Sequence, residues 1–104
     1  MIPMHLIQLL LPLHDNNGQD FPTYFNGVRE DLTDRFGGVT AFLRSPAVGL
    51  WKESNDQVNR DEVVMFEVMA ERLDEAWWAD YRTHLQKTFR QDEVLIWASV
   101  ITRL

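Results

Sequence analysis

Few side chains in this sequence are able to carry chemistry: three histidines, one glutamate set among methionines, and a handful of polar residues inside apolar stretches. His5, His14 and His84 are the metal-ligating types. His5 and His14 lie nine residues apart on one apolar stretch, which as a strand separates them by about 30 Å and keeps them from sharing an ion within a chain. A transition-metal site would have to bring His84, one helical turn after Asp80, to His14 and Asp15. The expectation is no bound metal, with His14, Asp15 and His84 as the residues to watch. The segment HDNNGQD places Asp15 and Asn17 where a calcium loop has its first ligands. However, Asp20 stands where that loop requires glycine, and no glutamate occupies its twelfth position. A turn through Asn17-Gly18 is the better reading. Gly37-Gly38 end a helix and lead into a strand, the reverse of a phosphate-binding loop, so no cofactor is implied.

Glu67 is the best general-base candidate. It sits in EVVMFEVMA (62–70), where alternation places it on one sheet face with Met65 and Met69. Gln8 and Arg44 fall on the same face, and His14 lies at its rim. These four are the catalytic candidates. The favoured alternative is that Glu67 pairs with Arg44 or Gln8 and gives register to a dimer.

The elements that position them follow from periodicity. An apolar run from His5 to Leu13 predicts a strand covered on both faces. Phe21, Phe25, Val28, Leu32 and Phe36 define the buried stripe of a helix over Pro22 to Phe36. Gly37 stops it. A second strand starts at Val39, breaks near Pro46 and resumes around Gly49 to Lys52. A polar loop (53–61) leads to the third strand, Glu62 to Ala70. A second helix covers Leu73 to Arg90, with Asp74 and Glu75 at its start and Lys87 and Arg90 at its end, as the helix dipole favours. Its buried stripe is Trp77 or Trp78 with Tyr81, Leu85 and Phe89, so its tryptophans are packing residues first. A fourth strand covers Glu93 to Ile101.

The order β-α-β-β-α-β, with right-handed crossovers, gives an α+β domain: a four-stranded antiparallel sheet in the order 4-1-3-2 with both helices on one face. The chain resembles the ferredoxin-like fold over its whole length. Within that fold it is similar to small dimeric α/β-barrel proteins, in which two sheets pack face to face. One strand parity is almost wholly apolar (Ile7, Leu9, Leu11; Val39, Ala41, Leu43; Val64, Phe66, Val68; Val94, Ile96, Ala98, Val100) and belongs under the helices. The other mixes Leu6, Leu10, Phe42, Met65, Met69, Leu95, Trp97 and Ile101 with Gln8, Thr40, Arg44, Glu67 and Ser99. So apolar a face calls for a partner, and the expected partner is a second copy of the chain, with a small-molecule ligand as the alternative. The resemblance implies a homodimeric binding or structural module, or else a cofactor-independent isomerase or oxygenase acting on a small aromatic substrate.

Composition narrows the rest. The 104 residues suit one domain. The absence of cysteine removes disulfide and thiolate-metal chemistry and fits a reducing, cytoplasmic setting. A net charge of −6 argues against nucleic acid and anionic membrane as partners. The apolar start, MIPMHLIQLLLPLHD, lacks the basic residues and cleavage site of a leader and reads as a strand. Acidic residues gather in the loops expected at one end of the sheet, among them Asp15, Asp20, Glu53, Asp56, Asp61, Glu62, Asp92 and Glu93; a solubilising surface is the favoured reading, and a weak divalent-cation or basic-partner site the sharper one.

Overall fold

The computed structural model describes residues 2–12, 22–44 and 63–104, with the side chains at 2, 22 and 42–44 outside that description. Six elements run in the order β1 (Ile2–Pro12), α1 (Pro22–Phe36), β2 (Thr40–Arg44), β3 (Val63–Ala70), α2 (Glu75–Thr88) and β4 (Leu95–Arg103). All strand pairs are antiparallel, and the sheet order is β2-β3-β1-β4, the expected order read from its other edge. The layout is ferredoxin-like.

Strand alternation decides which side chains meet the helices. Ile7, Leu9 and Leu11 of β1, Val64, Phe66 and Val68 of β3, and Val94 at the entry to β4 are buried, with Leu9, Leu11 and Phe66 at 0% exposure. Against them pack Phe25, Val28 and Leu32 of α1, and Trp78, Tyr81, Leu85 and Phe89 of α2 and its C-cap. Phe25 ties the layers together, its ring 6.0 Å from Phe66 and 5.5 Å from Phe89. Each such side chain contributes about 1.5–3 kcal/mol by leaving water. The described residues of the predicted stripes therefore form one core, with Phe36 and Trp77 half-buried at its margin and Phe21 outside the described residues.

The helix ends follow from local chemistry. Gly37 has φ +81° and donates its N–H to Thr33 O at 2.8 Å, a left-handed stop that a Cβ would strain. The Asp74 side chain accepts the Trp77 N–H at 3.1 Å, so α2 begins at Glu75 rather than at the expected Leu73. Arg90, at φ 52°, takes the left-handed position after α2, where Gln91 N–H reaches Gln86 O at 2.9 Å.

Strand lengths differ from the sequence-based expectation at one end of the sheet. β1 begins at Ile2, not His5, because β4 runs on to Arg103 and pairs with it there. β3 ends at Ala70 opposite His5. Pro3 therefore has a strand on only one side, where its missing N–H is tolerated. The expected Asn17-Gly18 turn, the resumed strand at 49–52 and the 53–61 loop lie outside the described residues.

Candidate functional site

The face away from the helices is a grid whose rows are set by register. Thr40 pairs with Glu67, Glu67 with Gln8, and Gln8 with Trp97. This polar row crosses all four strands. On one side runs the row Phe42, Met65, Leu10 and Leu95; on the other run Met69, Leu6 and Ser99, then Met4 and Ile101. A polar row, hydrogen-bonded through its side chains from Glu67 to Trp97, thus divides a mainly apolar surface.

Gln8 is the hub of that line. Its Nε2 donates to Glu67 Oε1 at 2.8 Å and lies 3.4 Å from the Met65 sulfur, while its Oε1 accepts from Trp97 Nε1 at 2.8 Å. A carboxylate only accepts and an indole N–H only donates, so these neighbours fix the orientation of the amide. The partner of Glu67 is therefore Gln8 of the same chain. Arg44 stands opposite Val63, two open-face rows from Glu67 and about 13 Å along the strand; its side chain is outside the description. His14 and Asp15 also lie outside the described residues, as do six of the eight acidic-loop residues named above. Trp97 enters the site as a donor, a role sequence reasoning missed, although alternation placed it on this face.

Where β2 starts late, the sheet edge opens into a hollow of about 430 Å³ lined by Leu6, Gly37, Gly38, Thr40, Glu67 and Met69 among others. It combines a carboxylate and a hydroxyl with apolar walls. The side chain offered for base chemistry therefore borders a space that a small molecule can enter.

The outer surface of the helices carries a second constellation. Arg35 pairs with Asp74 at 3.1 Å and lies over the Trp77 ring, 4.5 Å from its centroid. Trp77 stacks on Tyr81 with centroids 4.8 Å apart, and His84 stacks on Tyr81 at 5.7 Å. The Tyr81 hydroxyl donates to Asp31 at 3.1 Å. Burial first, then the charge of Asp31 and the hydrogen bond to it, hold this phenol far above the usual tyrosine range. His84 is thus engaged with an aromatic ring. No group of three or more His, Asp or Glu able to hold a metal occurs among the described residues.

The chain matches no protein-family model and no curated protein in sequence. No helix among the described residues is long and apolar enough to cross a membrane.

Proposed function

We propose that this chain is a homodimeric binding or structural module that pairs through its open sheet face. The observation that carries this reading is the apolar exposure of that face around an internally bonded polar row. Met69, Leu95 and Trp97 are 53%, 42% and 39% exposed, a high apolar exposure for a surface left in water. Gln8 already bonds both Glu67 and Trp97 within one chain, so these contacts need no partner when the face is covered. A cysteine-free chain of this charge suits a cytoplasmic setting.

Light scattering at micromolar concentration tests the pairing. A multiple of the chain mass is expected for the native protein, and Met65→Lys is expected to lose the face contact because taking an ammonium out of water there costs more than an ion pair with Glu67 returns. A native protein that stays at monomer mass, or a Met65→Lys variant with unchanged mass, overturns the reading.

The hollow beside Glu67 favours a second reading: a cofactor-independent isomerase or oxygenase acting on a small aromatic, with Glu67 as general base and Thr40 as a positioning hydroxyl. Native mass spectrometry of the purified protein tests it. A copurified small molecule lost in Glu67→Gln supports this reading; a ligand-free protein that turns over no small aromatic removes it.

A further inference from the structure

The sheet has two edge strands, β2 (Thr40–Arg44) and β4. β4 is nine residues, Leu95–Arg103, with no proline and no charge before Arg103. Its register to β1 runs unbroken from Ile2↔Arg103 to Leu10↔Leu95, so no bulge twists it away. Short length, proline, inward charge and bulges are the devices that keep an edge from pairing with another strand, and β4 has none of them. Its side chains are also uncovered on the helix side: Val94 is 3% exposed, but Ala98 is exposed and Val100 is 73% exposed.

We infer that β4 pairs antiparallel with β4 of a second copy, about a two-fold axis through Ser99. Ser99 is the midpoint of the strand, so this register alone uses all nine residues; moving the axis by one residue shortens the ladder by two. On the open face it sets Ser99 against Ser99, Trp97 against Ile101 and Leu95 against Arg103. On the helix face it sets Ala98 against Val100 and Ile96 against Thr102. An aromatic meets a β-branched side chain, a hydroxyl meets its own copy, and a small residue receives the exposed valine, the pair types that stabilise neighbouring strands. No like charges face each other. The strand is complementary to itself, which selects a second copy of the chain over an unrelated strand as the occupant.

The result is a continuous eight-stranded sheet with both open faces on the same side. This contact does not depend on face pairing. Where both form, the edge axis is normal to the sheet and the face axis lies in the interface, and the two close a tetramer if those axes intersect.

The native chain has no cysteine, which makes cross-linking unambiguous. Ala98→Cys and Val100→Cys proteins are mixed, re-equilibrated and oxidised mildly, with the two chains distinguished by mass. Both positions are exposed and lie on the helix face, which face pairing cannot bring together. Opposed residues of antiparallel strands have Cα atoms about 4.5–5.5 Å apart, within disulfide reach. Two Ala98→Cys chains, or two Val100→Cys chains, hold their thiol-bearing positions diagonally offset, about 8 Å apart and beyond that reach. The mixed disulfide is expected to form at least about tenfold faster than either self-disulfide, and to persist when both chains carry Met65→Lys. No mixed disulfide, or self-disulfides formed as fast as the mixed one, overturns the inference. Loss of the mixed disulfide only in the Met65→Lys background makes the edge contact a consequence of face pairing and overturns its independence.

Discussion

The two faces of the sheet use the same strands for different ends. On the helix side, Leu9, Leu11, Phe66 and Leu85 are fully buried, and the polar atoms that join them are few, among them the Tyr81 hydroxyl and the indole nitrogen of Trp78. On the open side, partly exposed apolar residues surround a hydrogen-bonded row of Gln8, Glu67 and Trp97. Burial alone needs volume and shape, and the helix face supplies those within one chain. The open face adds direction, because its polar groups accept only particular neighbours. A core needs only to fit, whereas a row of hydrogen bonds also fixes which side chain stands beside which.

The sharpest way to break this contrast is to truncate one large side chain on each face. Phe66→Ala is expected to cost about 3–5 kcal/mol in urea unfolding, since it opens a cavity between α1 and the sheet. Met69→Ala, half exposed in a single chain, is expected to cost under about 1 kcal/mol at low protein concentration. A larger cost that grows with concentration would mean that the open face is buried by association. Gln8→Leu tests direction rather than volume. It removes the acceptor for Trp97 and the donor to Glu67, at about 1 kcal/mol for each lost bond. A variant as stable and as well associated as the native protein would show that the polar row plays no part in pairing.

The smallest effect lies outside both faces. Tyr81→Phe is expected to lose about 1 kcal/mol at neutral pH with its bond to Asp31. The folded protein holds the Tyr81 proton to higher pH than the unfolded chain, whose phenol titrates near 10.0. The contribution is therefore fully present below pH about 10 and declines as pH rises above it. Unfolding measured from pH about 8 to about 11 should show the native protein losing stability more steeply than Tyr81→Phe.

Alternation made the faces legible. Ile7, Leu9, Leu11, Val64, Phe66, Val68 and Val94, assigned under the helices, are buried there, as are the helix stripes of Phe25, Val28, Leu32, Tyr81, Leu85 and Phe89. Periodicity reports the face a residue occupies but not the row it shares with another strand. The bond between Gln8 and Trp97 joins residues 89 positions apart, and only the register of β1 on β4 creates it. The same limit hid the extension of β1 to Ile2, since nothing in Ile2-Pro3-Met4 announces that a strand about a hundred residues later will reach it. Val100 was assigned to the covered face on parity, yet it is 73% exposed; parity gives direction, and α2 does not extend over that end of β4.

The central position of β1 has a consequence in time. It is made before the other three strands, and its two neighbours in the sheet are β3 and β4. Between synthesis of β1 and synthesis of Val63–Ala70, both of its sides lack these partners; one side stays open until β4 emerges, since Ile2 waits for Arg103. Pairings this distant in sequence pay their loop-closure entropy before any gain, so sheet completion is a late and slow event. A nascent chain halted before β4 would display an apolar central strand with one edge bare, the form in which it is most exposed to capture by chaperones.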